Sequence, residues 1–159
     1  MRVVDRNGAH ALVRGFDLGP HLRTHRIGRV VEVHEQIDST NERALELAKS
    51  GAATGVEVMA AEHTAGRGRR GRTWASPAMA GLYASIVIRP YITPRLAPAL
   101  TLVAGVALKE ACDSLGVRDV RLKWPNDVLA YEGPEHGRKL AGMLLELSAD
   151  QHKIDYAVI

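Results

Sequence analysis

From Val30 to Ile37, β-branched and polar residues mix as they do in a half-buried strand. Asp38-Ser39-Thr40 then offers three side-chain oxygens at a helix start. Asn41 to Lys49 follows with Ala44, Leu45 and Ala48 on one face, and Gly51 stops it. Val56 to Ala61 reads as a buried strand, and Leu82 to Ile88 as another whose Leu82, Ala84, Ile86 and Ile88 share a face. After Pro94, the apolar residues Leu96, Leu100, Val103, Ala107, Ala111 and Leu115 fall at helical spacing up to Gly116. They predict the longest element of the chain, with these residues as its packed stripe.

Val120 to Lys123 is a short strand running into Trp124-Pro125-Asn126-Asp127, where proline forces extended backbone and Asn-Asp favours a turn. Tyr131 to His136 is a turn between strands. Leu140–Leu147 and Ile154–Ile159 then predict a hairpin. Strands outnumber helices and several connect as hairpins. The expected class is therefore α+β, a mixed, mostly antiparallel sheet with helices packed on one side, and not a doubly wound α/β fold. Residues 1–27 carry Gly8, Gly15, Gly19-Pro20 and scattered charges with little periodicity. They have room for a strand or a short helix but not for a DNA-binding winged helix of roughly 60 residues. The expected division is a short N-terminal segment, 1–27, without a full DNA-binding domain, and one domain over 28–159.

Composition changes this picture little: 46% hydrophobic and 25% charged residues are ordinary for a globular chain. With neither an N-terminal apolar leader nor a long apolar run, the expected setting is cytoplasmic with no membrane partner. Cys112 has no second cysteine to pair with and lies within the long helix, where a small core residue is expected. His21 and His25 have helical metal-ligand spacing but lack a third ligand, so solvated surface is the better reading.

Charge changes the picture more. Ala65-Gly66-Arg67-Gly68-Arg69-Arg70-Gly71-Arg72-Thr73-Trp74 holds four arginines and three glycines, and no Asp or Glu occurs between Glu62 and Glu110. Without those arginines the net charge would fall from +3 to −1, so basicity belongs to this loop and not to the whole surface. Glycines let backbone N–H groups approach an anion, and guanidiniums offer forked donors to carboxylate and phosphate. Gly66 to Gly71 also spells G-x-G-x-x-G, but Thr73-Trp74-Ala75-Ser76-Pro77 cannot open the helix that a dinucleotide fold requires.

Three further segments carry chemistry. Asp38-Ser39-Thr40-Asn41 opens a helix whose N–H groups suit a carboxylate or polar ring. Lys123-Trp124-Pro125-Asn126-Asp127 joins a cation to a carboxamide–carboxylate pair able to serve Mg²⁺ beside nucleotide phosphates. Arg138-Lys139-Leu140-Ala141-Gly142 places a lysine at a strand start with a glycine three residues on.

These four segments, in this order, resemble biotin protein ligases, whose catalytic domain reads D-S-T-N, G-R-G-R-x-G-R-x-W, K-W-P-N-D and R/K-K-L/I-A-G. The likeness spans Asp38 to Gly142, about two-thirds of the chain. It implies a fold like class II aminoacyl-tRNA synthetases and biotin synthetases. It also implies ATP-dependent activation of biotin to biotinyl-5′-AMP, with Mg²⁺, and transfer to a lysine of the biotin carboxyl carrier protein of acetyl-CoA carboxylase or a related carboxylase. No nucleic-acid partner is implied, and the expected state is a monomer or homodimer.

By that resemblance Ser39 and Thr40 would hold biotin's ureido head, with His63 beside it. Arg67 and Arg69 would cover the biotin carboxylate and α-phosphate, with Arg72 toward pyrophosphate. Gly66, Gly68, Arg70 and Gly71 complete the loop, and Trp74 would pack on adenine. Lys123 and Lys139 would face the reacting groups, Gly142 would admit the ligand, Asn126 would serve the nucleotide and Asp127 the Mg²⁺. Arg67, Arg69, Lys123 and Lys139 are the expected catalytic residues. Trp74 and Trp124 can also be read as core aromatics, and Asp38 as a helix cap. The empty loop is expected to be mobile and to order around the adenylate.

The chain departs from the family pattern twice. Glu62-His63-Thr64-Ala65-Gly66 has His63 where the family has glutamine; neutral imidazole still offers one donor and one acceptor. Tyr156-Ala157-Val158-Ile159 ends the sequence where the family continues with G-x-G-x-N and an SH3-like barrel, so a truncated catalytic domain is expected. The competing readings are an adenylate-binding module or inactive fragment without turnover, a lipoate ligase-like enzyme, and a nucleic-acid binder using the arginine loop. The near-neutral remainder of the chain argues against the last.

Overall fold

Side chains of the first predicted strand alternate as their chemistry demands. Val31 and Val33 pack with Val3 and Met59, whereas the neighbouring Glu32 and His34 meet Arg43 and each other. A computed structural model of the chain describes residues 1–6, 22–131 and 137–159. The elements are β1 (Arg2–Arg6), β2 (Val30–Ile37), α1 (Thr40–Lys49), β3 (Val56–His63), β4 (Tyr83–Ile88), α2 (Ala97–Ser114), β5 (Val120–Lys123), β6 (Asp127–Ala130), β7 (Arg138–Gly142), β8 (Glu146–Ala149) and β9 (Ile154–Val158). His21 and residues 132–136 of the expected turn lie outside the described residues.

Six strands make one sheet in the order β1-β2-β3-β4-β9-β8. The first three run parallel and the remaining pairings are antiparallel. Strands β5, β6 and β7 form a second, antiparallel sheet. The class is the expected mixed, mostly antiparallel α+β. Helix α1 is the crossover between parallel β2 and β3, the connection that a parallel pair requires. Its Ala44 and Ala48 sit against Val58, Val87 and Val158, all essentially inaccessible to solvent. Alanine at both contact positions lets the helix axis come close to the sheet. Glu32 of β2 is buried and takes hydrogen bonds from Arg43 of α1 and from His34. Burial raises its pKa, but these partners outweigh that and hold it below the ordinary 4.5. The cluster fixes α1, and so the position of its N-terminus.

The structure corrects four of the expectations. Of the stripe expected to pack on α2, Leu100 does pack, against the cluster of Ala97, Ile154 and Ala157, but the rest faces outward: Val103 is 65% exposed and Leu115 82%. The buried positions are Ala97 and Gly105, and a Cβ at Gly105 would lie 3.2 Å from Met143 and 3.5 Å from Leu122. This helix is apolar nearly all round, so periodicity alone does not choose its packed face. In β4 the buried side chains are Ser85 and Val87, facing α1, and Leu82 lies outside the strand and exposed. The expected strand Leu140–Leu147 is two strands: β7 pairs with β6, and β8 pairs with β9. Trp124 is no core aromatic, being 71% exposed.

Candidate functional site

The arginine loop closes on itself. Arg67 and Thr73 form a bridge, Gly68 N–H donates to Arg72 carbonyl at 2.6 Å, and Trp74 N–H donates to Gly66 carbonyl at 2.9 Å. Gly66 is required by this closure, because a Cβ there would lie 2.3 Å from the Trp74 carbonyl oxygen. At the tip, Arg70 (φ 58°) and Gly71 (φ 71°) both take left-handed backbone. Arg70 and Arg72 are exposed, Arg72 Nε donating to the Arg69 carbonyl at 3.3 Å, and no helix follows the glycines.

Four contacts fasten this hairpin to helix α1 and the two sheets. Arg67 Nη1 lies 2.7 Å from Glu42 Oε1, and its Nη2 lies 2.7 Å from Glu146 Oε2. Arg69 Nη1 donates to Asn126 Oδ1 at 3.3 Å. Trp74 lies under the Lys139 ammonium, 4.6 Å from the ring centroid. The acid-free sequence around the loop is thus compensated in space by carboxylates from α1 and β8.

At the N-terminus of α1, Ser39 and Thr40 are buried. Ser39 makes no side-chain cap; its N–H is taken by Asp38 Oδ1 at 2.6 Å. Thr40 N–H donates to His63 Nε2 at 3.3 Å, and Thr40 Oγ1 lies 2.9 Å from Ser85 Oγ. With Nε2 accepting, the His63 proton belongs on Nδ1, which faces Ser76 Oγ at 3.3 Å. Tyr83 packs on the same ring at 5.0 Å. Desolvation pushes the His63 pKa below 6.5 and the Asp38 carboxylate opposes it, so the ring is neutral at pH 7.

The second centre lies where the small sheet meets the hairpin. Lys139 Nζ is 2.7 Å from Asp127 Oδ1. Gly142 makes room for it: a Cβ there would fall 3.0 Å from Lys139 Cε and 3.2 Å from the Trp74 ring. Asn126 donates to Met143 carbonyl at 2.9 Å, which fixes its amide so that Oδ1 meets Arg69. Lys123 stands opposite Asp127 in the β5–β6 ladder. Lys123, Asn126 and Asp127 also line a half-open pocket of about 200 Å³, together with Leu102, Gly105 and Met143.

Four sequence segments far apart in the chain therefore converge: the α1 N-terminus, the arginine hairpin, the β5–β6 turn and β7. Sequence reasoning missed Glu42, Glu146 and Ser85, and left Asn41 without a role. Ser39 and Glu42 have capping-box spacing, a signal for Glu42, although it pairs with Arg67 and not with the helix end. Glu146 carried no local signal, since its partner Arg67 is 79 residues away.

Residues 33–159 match the sequence profile of the Biotin/lipoate A/B protein ligase family. The chain belongs to that family. Among curated relatives of this ligase family, it is 35% identical over 138 residues to the bifunctional ligase/repressor BirA of Bacillus subtilis, covering 87% of this chain and 41% of that one. It is 42% identical over 125 residues to the biotin–[acetyl-CoA-carboxylase] ligase of Mycobacterium tuberculosis, covering 76% and 45%. The chain thus spans less than half the length of these ligases. Among solved structures, the Aquifex aeolicus biotin protein ligase in complex with biotin and ATP is similar, with a TM-score of 0.63 at 32% identity over 82% of this chain and 51% of that one. The Leishmania major biotin protein ligase in complex with biotinyl-5-AMP gives a TM-score of 0.63 at 29% identity, covering 80% and 54%. Among the described residues no helix is long and apolar enough to cross a membrane.

Proposed function

We propose that residues 28–159 form the biotin- and ATP-binding part of a biotin protein ligase. It would activate biotin to biotinyl-5′-AMP and transfer it to a lysine of a biotin carboxyl carrier protein, that of acetyl-CoA carboxylase or of a related carboxylase. One observation supports this above others: the arginine hairpin is fastened through Arg69 to Asn126 and through Trp74 to Lys139, each in another segment that carries a family motif, and through Arg67 to Glu42, the residue that follows D-S-T-N. A lipoate ligase-like activity fits less well, because the relatives at 42% and 46% identity are biotin–[acetyl-CoA-carboxylase] ligases by name.

In the first step a biotin carboxylate oxygen attacks the α-phosphorus of ATP, the α–β phosphoanhydride breaks, and pyrophosphate leaves. In the second, the carrier's lysine amine attacks the acyl carbon and AMP leaves. Both reactants of the first step are anions, so the protein must position them and offset their charge. Ser39 and Thr40 hold the ureido head, and neutral His63, which stands where glutamine is usual, steadies that helix start by accepting from Thr40 N–H. Arg67, Arg69 and Lys139 face the carboxylate and α-phosphate, Lys123 stands nearby and Arg72 lies toward pyrophosphate. Adenine packs on the Trp74 face not covered by Lys139. No enzyme nucleophile is needed.

The donor set suits a nucleotide-borne Mg²⁺. Among the described residues no three His, Cys, Asp or Glu side chains cluster to hold an ion alone. Asp127 nevertheless offers one carboxylate beside Asn126, and Mg²⁺ commonly takes one or two protein oxygens with phosphates and water. Bound there, the ion would neutralise phosphate charge. The reading is tested by incubating the chain with biotin, Mg²⁺ and α-labelled ATP and looking for labelled biotinyl-5′-AMP; a folded sample that binds neither biotin nor biotinyl-5′-AMP would overturn it.

A further inference from the structure

We infer that Glu146 is the positioning residue for Arg67, tying the arginine hairpin to the head-group end of the biotin site; the inference rests on the functional reading above. Glu146 Oε2 receives two donors at 2.7 Å, Arg67 Nη2 and Asn41 Nδ2. Asn41 is buried in the first turn of α1, and its Oδ1 accepts from Ser85 Oγ at 2.9 Å. Ser85 Oγ lies in turn 2.9 Å from Thr40 Oγ1. An unbroken chain, Thr40–Ser85–Asn41–Glu146–Arg67, thus runs from the residue assigned to biotin's ureido ring to the one assigned to its carboxylate. Every member except Arg67 sits on a helix or a strand. Thr40, Asn41 and Ser85 are almost wholly excluded from water, which is where hydrogen-bonded chains hold their geometry best.

The two carboxylates on Arg67 are not equivalent. Glu42, in the first turn of α1, has a side chain 44% exposed, and among the described residues its carboxylate is seen paired with Arg67. Glu146 begins β8, opposite Val158 in the ladder, and Asn41 fixes its carboxylate independently of Arg67. A guanidinium carries five donors, so these two partners leave others free for a ligand anion. Glu146 therefore sets where Arg67 stands, and Glu42 adds charge to a position already set. An arginine held before its ligand arrives needs little reorganisation when charge develops.

The test compares Glu146→Gln, Glu146→Ala, Glu146→Asp and Glu42→Gln in the full chain. Trypsin cleavage after Arg67, followed by mass spectrometry without ligand, reads the contact directly. Glu146→Gln should be cut about fivefold faster than the parent or more, and Glu42→Gln less than about twofold faster. Affinity for biotinyl-5′-AMP should fall about tenfold with Glu146→Gln and recover in part with Glu146→Asp, which keeps the charge. Glu146→Gln should add nothing in an Arg67→Ala background. A structural role through Asn41 predicts the reverse, because glutamine still offers an acceptor and would rescue Glu146→Ala. Unchanged cleavage, or losses that add with Arg67→Ala, overturns the inference. If no variant nor the parent binds biotinyl-5′-AMP, the functional reading fails while the cleavage comparison still decides the Glu146–Arg67 contact.

Discussion

Lys139 and Asp127 form an ion pair at 2.7 Å across the β6–β7 ladder, and the same ammonium lies 4.6 Å from the centroid of the Trp74 ring. Asp127 thus holds the lysine over an indole whose other face is assigned to adenine. Both partners are partly exposed, at 36% and 22%, so the pair contributes little to stability and its worth lies in placement. Asp127→Asn should leave Tm within a few degrees, leave biotin affinity within about twofold, and lower the rate of adenylate formation by about tenfold or more. Calorimetry with biotin and single-turnover adenylation separate the two effects.

Gly142 is the counterpart of that pair. An added Cβ would sit 3.0 Å from Lys139 Cε, 3.1 Å from its Nζ and 3.2 Å from Trp74. Its neighbours are the far end of a flexible lysine and a ring edge, so Gly142→Ala should fold. Lys139 should move off the indole, with adenylation slowed by about tenfold or more. Indole fluorescence of the variant reports the displacement, and unchanged kinetics would remove Gly142 from the site.

Arg67→Ala should weaken binding of biotinyl-5′-AMP by roughly 2–4 kcal/mol, the size of a charge-assisted contact that the bound ligand itself shields from water. The measurement is competition calorimetry; an unchanged affinity would place the hairpin outside the site.

His63 gives the site a pH dependence with a definite sign. Its folded pKa lies below 6.5, chiefly through desolvation, so the folded state prefers the neutral ring. Its contribution to stability is complete above pH 6.5 and is lost as pH falls through the lowered value. Protonation also removes the acceptor for Thr40 N–H, so biotin binding should weaken over the same window. Glu57 is raised by burial and acts in the opposite direction, so the informative quantity is the difference between the parent and His63→Gln. The variant should show a flatter profile of biotin affinity between about pH 5 and 7.

Legibility differed by the range over which each signal acts. Strand β2 and helix α1 were readable because β-branched composition, the helical spacing of Ala44 and Ala48, and the stop at Gly51 are local properties. The break between β7 and β8 was not readable, because the nearly continuous apolar run Leu140–Leu147 does not record a change of partner strand. The packed face of α2 was hidden by its apolar circumference, and Gly105 is buried because β5 and Met143 approach it. In the site, the cations were legible as a motif. Their carboxylates were not: Glu42 and Glu146 reach Arg67 from 25 and 79 residues away. Charge balance at a site is a tertiary property.

The most direct test of the central claim is biotin-dependent formation of biotinyl-5′-AMP by this chain, read by thin-layer chromatography with α-labelled ATP and Mg²⁺. The account predicts a labelled adenylate that appears only with biotin and is reduced by Arg67→Ala and Asp127→Asn. A folded chain that forms no adenylate and binds neither biotin nor biotinyl-5′-AMP would contradict it.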